Sequence, residues 1–308
     1  MQRIVITDTN LGDGSHERAE LEPEFAVDVY DVTTEDGVID VAREADGLLV
    51  QWAPITDRVL SALPNLRSVV RYGIGLDNID LEAAQRLGVH VSNVDDYCIN
   101  EVADHAAAAI YAQNRRLIPS ARNYAASGWT TEGISQPLPP QQDPVGVAGF
   151  GRIGRAVAAR VGALGFEVHV WDPFVSEVAD GVVVHETLND LAASVNHLTL
   201  HMPSTEQTAG MIDADVLAAL GEQGHLVNTA RGALVDEPAL LAALGDASLG
   251  FASLDVLSSE PPTGIAEQIA AHDRVLITPH TAYLSTESLP QLRLRAAQIL
   301  RDLLKGAA

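Results

Sequence analysis

Arg231, Glu260 and His280 are three residues of this 308-residue chain whose types together suit one reaction. Each follows a short, largely apolar run: Leu226-Val227-Asn228-Thr229-Ala230 leads to Arg231, Leu254-Asp255-Val256 to Glu260, and Val275-Leu276-Ile277-Thr278-Pro279 to His280. Singly each has an ordinary explanation, as a surface ion-pairing residue, a solvated loop acid and a satisfied histidine. At the ends of parallel strands, where ligands lie in open α/β sheets, they combine. A protonated imidazole donates to a carbonyl oxygen as hydride reaches its carbon. A carboxylate orients that imidazole and favours its charged form, while a guanidinium binds a substrate carboxylate and polarises the carbonyl.

Hydride needs a carrier, and the strand-like run Val145-Gly146-Val147-Ala148 enters Gly149-x-Gly151-x-x-Gly154, followed by a segment with helical spacing over 151–164. Glycines there allow a sharp turn and close approach of a diphosphate, and the helix start offers free N–H groups and the positive end of its dipole. The next strand, Glu167-Val168-His169-Val170-Trp171, ends in Asp172 at the distance where a carboxylate accepts from the adenosine ribose hydroxyls. A 2′-phosphate would meet like charge there, and Pro173 and Phe174 supply no arginine, so Asp172 points to NAD rather than NADP; the bland alternative is a strand-end turn residue. About 145 residues precede the loop, which implies a cofactor domain inserted within another domain.

The rest of the pattern must position these residues. Strands are expected near 3–7, 47–51, 67–72 and 89–93, with helices near 38–45, 57–63 and 80–87. An Ala-rich segment over 100–126 predicts one long helix, and the Pro- and Gln-rich run 136–144 predicts a surface linker. After the glycine loop come five strands, near 167–171, 197–202, 225–229, 250–255 and 275–278, with helices near 187–193, 213–219, 236–244 and 265–271. A last helix over 287–305 is expected to return to the first domain. The fold class is therefore α/β, with two doubly wound parallel-sheet domains.

Composition narrows the function classes. Hydrophobic residues make up 47%, enough for two cores, and no apolar run approaches the roughly 20 residues that span a bilayer. Acidic residues number 42 against 19 basic, the only lysine is Lys305, and net charge is −23. Such a surface repels nucleic acid and anionic membranes. One cysteine, Cys98, excludes an intrachain disulfide and, with no visible signal peptide, suits a cytoplasmic protein; it reads as a small buried hydrophobe.

Taken in order, these stretches resemble the D-isomer-specific 2-hydroxyacid dehydrogenase family over essentially the whole length. The motifs are Gly149 to Gly154, His201-Met202-Pro203 with Thr208, Ala230-Arg231-Gly232 through Glu237, Leu254-Asp255-Val256 with Glu260-Pro261, and Thr278-Pro279-His280; Arg71-Tyr72-Gly73-Ile74-Gly75 through Asp80 matches as well. Asp95, Tyr97-Cys98 and Glu101 to His105 look most like the microbial branch similar to C-terminal binding proteins. The resemblance implies a flavodoxin-like substrate domain (1–99 plus 285–308) with an inserted Rossmann NAD-binding domain (100–284).

It implies roles as well. His280 is the acid/base, Glu260 its partner, and Arg231 the substrate clamp. Backbone amides near Ile74 and Gly75 bind the substrate carboxylate, with Arg231 and His280 the other substrate contacts. Arg152 and Ile153 contact the diphosphate held by Gly149, Gly151 and Gly154, Asp172 the ribose, and Asp255 the nicotinamide carboxamide; His201, Met202, Pro203, Thr208, Thr229 and Ala230 line the cofactor cleft. No metal is implied.

The expected activity is NAD-dependent interconversion of a 2-oxo acid and a D-2-hydroxy acid by a homodimer. Two rivals stand beside it: an NADH-sensing, corepressor-like interaction protein, and a 3-phosphoglycerate dehydrogenase, which the absence of a regulatory segment after Ala308 disfavours. Three positions depart from the family: Asp104 where many relatives carry glutamate, and Tyr283 and Leu284 beside the catalytic histidine. Arg71 reads equally as an anion contact or as a structural residue paired with an acid.

The acidic excess also reads two ways, as adaptation to high intracellular salt or as a surface that happens to be acidic. Screening relieves self-repulsion of a net charge of −23. On the salt reading the melting temperature rises between low and molar KCl; a flat curve in calorimetry rejects it.

Overall fold

The computed structural model describes residues 1–8, 11–175 and 178–306. The first unit begins with β1 (Arg3–Ile6), α1 (Ser15–Leu21), β2 (Ala26–Val29), α2 (Glu35–Ala42), β3 (Gly47–Val50), α3 (Asp57–Ala62), β4 (Ser68–Arg71), α4 (Leu81–Leu87) and β5 (His90–Asn93). The chain then builds a second unit from α5 (Ile99–Asn114), α6 (Leu117–Ser127), β6 (Val145–Ala148), α7 (Arg152–Ala163), β7 (Val168–Trp171), β8 (Val182–Val184), α8 (Leu188–Ala193) and β9 (His197–Leu200). It continues through α9 (Ala214–Leu220), β10 (His225–Asn228), α10 (Glu237–Gly245), β11 (Phe251–Leu254), α11 (Ile265–Ala270) and β12 (Val275–Ile277). The last helix, α12 (Ser288–Gly306), belongs to the first unit, which comprises Met1–Cys98 and the segment from Leu284; the second is Ile99–Tyr283.

In the first unit five parallel strands run in the order β2-β1-β3-β4-β5, the flavodoxin-like arrangement. Strands β3 and β4 are buried at every residue, so they read as continuous apolar runs rather than alternating ones. One face packs Val38, Leu48, Val59 and Val69 beneath α2, α3 and α4; the other packs Ile4, Leu49, Val70, Leu292, Ala296 and Leu300 beneath α1 and α12. A buried ion pair ties α12 down: Arg293 donates to both oxygens of Glu17, at 2.9 and 2.7 Å, and Tyr72 Oη donates to Glu17 at 2.9 Å. Burial pushes the Glu17 carboxyl up, but the bonds from Arg293 outweigh it and hold the group below its ordinary range.

In the second unit seven parallel strands run β12-β11-β10-β9-β6-β7-β8. Chain order reverses between β6 and β9, and that switch point opens a crevice at the C-terminal strand ends. Helices α5 and α7 cover one face, with Val157 and Val161 of α7 in one cluster with Val147, Val170 and Val227 of the strands. The other carries Leu191, Leu198, Leu217, Leu226, Leu240 and Ile269. Part of the acidic excess caps helices here: Asp213 accepts from Val216 N and Asp236 from Ala239 N, both at 3.0 Å.

Four expectations need correction. The Ala-rich segment is two helices, not one. Pro119 lies in the first turn of α6, where its missing N–H costs nothing, whereas in a continuous helix its ring would clash with the carbonyl of Arg115. The chain breaks there with Arg116 in the left-handed region, φ 55°. Edge strand β2 escapes the strand pattern of the first half, as does α1 its helix pattern. Six strands, not five, follow β6, because β8 is an edge strand of only three valines, largely exposed and too short to stand out as a strand. The linker is not wholly surface, since Asp143 at its end is 5% exposed.

Asp143 anchors a buried polar chain at the start of the strands. Its Oδ2 bonds His197 Nε2 at 3.0 Å and accepts from Asn114 at 2.6 Å, and its Oδ1 accepts from Asn196 at 2.8 Å. His197 Nδ1 meets His225 Nδ1 at 2.9 Å, and His225 Nε2 meets Ser253 Oγ at 2.8 Å. Burial pulls the His225 imidazole well down. Burial pushes the Asp143 carboxyl up, but the bonds from His197, Asn114 and Asn196 prevail and hold it at about 2.

A depressed carboxylate stabilises the fold above its unfolded value near 3.8 and loses that contribution as pH falls towards about 2. The difference corresponds to about 2 kcal/mol for Asp143. Urea titrations of the wild type and Asp143→Asn should therefore show a stability gap at pH 7 that narrows once the pH drops below about 4; a gap independent of pH contradicts the assignment.

Candidate active site

The glycine loop joins β6 to α7 at the switch point, and its three glycines answer to different constraints. At Gly149, φ 90°, a Cβ would stand 2.7 Å from the backbone of His201; at Gly154 it would stand 2.0 Å from the oxygen of Gly149. These two are required by the protein's own packing. Gly151 has an ordinary φ of −74°, and a Cβ there would meet nothing within 4 Å. The protein's own packing therefore leaves room at that position for a ligand lying against the loop. The residues present thus fit a dinucleotide diphosphate: an open approach at Gly151, and behind it the first turn of α7 with Arg152 and Ile153, where four N–H groups lack helical partners.

Asp172, just past β7, accepts from Phe150 N at 2.7 Å with Oδ2 and from Phe174 N at 2.8 Å with Oδ1. It therefore holds the glycine loop in shape, and each oxygen keeps a lone pair for a further donor. Beyond β9, Met202 is buried while Pro203 is exposed, and Thr208 Oγ1 donates to the carbonyl of Pro203 at 2.7 Å, closing the loop that carries both. His201 Nε2 lies 2.9 Å from Thr199 Oγ1, and burial pulls its imidazole down to about 3, so it is neutral near pH 7.

The residue after β10, Thr229, has a buried hydroxyl with no hydrogen-bond partner among the described residues. Asn228 then makes a tight turn. Its Oδ1 accepts from Ala230 N at 3.0 Å and its Nδ2 donates to the Arg231 carbonyl at 2.8 Å, which presents Arg231 at the strand end. A Cβ on Gly232 would lie 2.0 Å from the carbonyl carbon of Leu257, so glycine there lets the arginine loop press against the loop that leads to Glu260. Glu260 in turn accepts from Leu257 N at 3.2 Å.

His280 sits at a φ of 52°, an uncommon conformation for a residue with a side chain. Its N–H bonds the carbonyls of Asp255 and Thr278, at 2.9 and 3.0 Å, and its Nδ1 lies 2.7 Å from Glu260 Oε2. A carboxylate only accepts, so Nδ1 carries a proton in this pair. Asp255 is buried and holds the loop from beneath. It accepts from Thr278 Oγ1 at 2.5 Å and from Thr281 N and Ala282 N, both at 2.9 Å. Arg231, Glu260, His280 and Asp255 all stand at the C-terminal ends of β10, β11 and β12.

In the first unit, Ile74 and Gly75 lie in the loop after β4, where Asn93 Nδ2 donates to the Ile74 carbonyl at 2.5 Å. Arg71 is buried there, donates to the Gln51 carbonyl at 3.2 Å and lies over the Trp52 ring, its Cζ 5.4 Å from the centroid. Cys98 is buried. Two contributors escaped sequence reasoning: Asn228, whose turn was signalled only by its residue type, and His105, which reaches Thr278 from α5 through packing that no local spacing encodes.

Residues 107–282 match the family profile described as D-isomer specific 2-hydroxyacid dehydrogenase, NAD binding domain. The D-3-phosphoglycerate dehydrogenase of Mycobacterium leprae is 36% identical over 85% of this chain and 50% of its own length, so the chain spans about half the length of that relative. The glycerate dehydrogenase of Methylorubrum extorquens is 32% identical over 83% of this chain and 82% of its own. Among solved structures, D-lactate dehydrogenase from Aquifex aeolicus, complexed with NAD and lactic acid, superposes with a TM-score of 0.89, at 26% identity, over 99% of this chain and 96% of that one. An NADPH-dependent glyoxylate/hydroxypyruvate reductase from Sinorhizobium meliloti does so with a TM-score of 0.84, at 30% identity, over 98% and 93%.

If Gly151 is kept open for a ligand, Gly151→Val should weaken NADH binding in a fluorescence titration by about tenfold or more while the melting temperature barely moves. Gly154→Val should instead unfold the second unit.

Proposed function

The chain belongs to the D-isomer specific 2-hydroxyacid dehydrogenase family, and on that premise we propose that it interconverts a 2-oxo acid and a D-2-hydroxy acid with NAD as its cofactor. The observation that carries this reading is the Glu260–His280 pair at 2.7 Å beside the NAD-binding crevice. A bound nicotinamide supplies or accepts the hydride. His280 Nε2 gives a proton to the carbonyl oxygen in reduction and takes it from the hydroxyl in oxidation, while Glu260 holds the ring through Nδ1 and balances its charge. Arg231 binds the carboxylate and draws electron density from the carbonyl. Backbone amides at Ile74 and Gly75 serve as further carboxylate contacts, a role supported by their place at the C-terminal edge of the first sheet. Asp255 contacts the carboxamide, and Asp172 favours NAD over NADP through its free lone pairs and the lack of a basic residue at 173–175.

A homodimer is supported by α6, which buries none of its residues and exposes Leu117 and Tyr124, with Trp129 just beyond. No described helix is long and apolar enough to cross a membrane. A cytoplasmic setting is supported by the sequence having one cysteine, Cys98, and so no intrachain disulfide. The names of the relatives favour D-3-phosphoglycerate, D-lactate, glyoxylate and hydroxypyruvate as first substrates.

Each of these, assayed by the appearance or loss of NADH absorbance, tests the reading. An NADH-sensing interaction protein would bind NADH yet turn over none of them. With the best substrate, His280→Ala should lower kcat by at least about a hundredfold and leave the NADH Kd within about twofold. Retention of most activity removes His280 from the acid/base role.

A further inference from the structure

We propose that His105 is a positioning residue for His280, acting through Thr278 and Asp255; its kinetic consequence rests on the oxidoreductase reading above. His105 lies on α5, and its Nε2 stands 3.3 Å from Thr278 Oγ1 and 4.0 Å from Asp255 Oδ1. The direction of the first contact follows from proton counting. Thr278 has one hydroxyl proton, and at 2.5 Å it is given to Asp255, which can only accept. The Thr278 oxygen must then receive a proton from His105 Nε2–H. The result is a directional chain, His105 to Thr278 to Asp255.

Asp255 is where the chain takes effect. Its side chain is 1% exposed, so each donor matters: an ionised carboxylate cut off from water is tolerated only with its lone pairs filled. Besides Thr278 those donors are the Thr281 and Ala282 amides, which follow His280, and more distantly the Thr281 hydroxyl at 3.4 Å, while the Asp255 carbonyl takes the His280 amide. His280 is kept at its unusual φ by these bonds. His105, Thr229, Asp255 and Thr278 line one narrow crevice, so a substitution that keeps the volume of the histidine tests its hydrogen bond rather than its bulk. His105 is itself half-buried, held by the Ala-rich face of α5 that packs against β10.

The test compares His105→Leu, which fills the space but cannot donate, with His105→Gln, whose amide nitrogen can take the place of Nε2. In His105→Leu the Thr281 and Ala282 amides should exchange hydrogen about tenfold faster, while amides of the first unit are unchanged. With the substrate found above, kcat should fall about tenfold, with KM and the NADH Kd held within about twofold. His105→Gln should restore both. Should His105→Leu fail to fold, Thr278→Val breaks the same chain one link later and is read in the same way. Unchanged exchange in a folded Leu variant, or a Gln variant as impaired as Leu, overturns the proposal. Exchange is read without turnover, so a wild type inactive on every 2-oxo acid would sink the oxidoreductase reading and still leave the His105 chain decided.

Discussion

Asp255 carries a charge into a place with almost no water, and the segment 278–282 is arranged around supplying it with donors. A buried carboxylate that lacked them would cost several kcal/mol. Thr278, Thr281 and Ala282 meet that demand from three successive points of one loop, and the loop can do so only by turning through the left-handed conformation at His280. The His280 imidazole therefore owes its position to the needs of a different residue. Its own carboxylate partner, Glu260, then selects the tautomer in which Nδ1 carries the proton.

Close backbone approach is the second constraint, and it unites distant parts of the second unit. Gly149 lets the loop after β6 pass against His201, Gly154 lets α7 seat on Gly149, and Gly232 lets the arginine loop reach Leu257. Any side chain at these points would drive apart segments that carry the candidate site residues. Gly151 is different, because the protein itself leaves the space free. The distinction separates glycines that build the site from the one that admits a ligand.

Strong local patterns were legible in the chain. The glycine loop, the buried strands β6 and β9 to β12, and the residues at their ends follow from apolar runs punctuated by Gly, Pro and Asn. Edge strands β2 and β8 were not, because an edge strand in a parallel sheet is half-exposed and short, and its pairing partner supplies most of its definition. The break between α5 and α6 was written in Pro119, but an Ala-rich run on both sides outweighed one proline in a periodicity argument. Asp143, at the end of a Pro- and Gln-rich run, looked like part of a solvated linker; its burial depends on Asn114, Asn196 and His197, each more than 25 residues away.

By itself the sequence determined the α/β class and the dinucleotide loop and singled out Arg231, Glu260 and His280 as candidates, since residue type and short-range spacing record which backbone shapes and which proton-transfer groups are available. The tertiary structure alone decided how Asp255, Asn228 and His105 are hydrogen-bonded. Each acts through hydrogen bonds whose direction and strength depend on burial and on which atoms face one another across elements. Those quantities are set by packing, and no count of residues along the chain contains them.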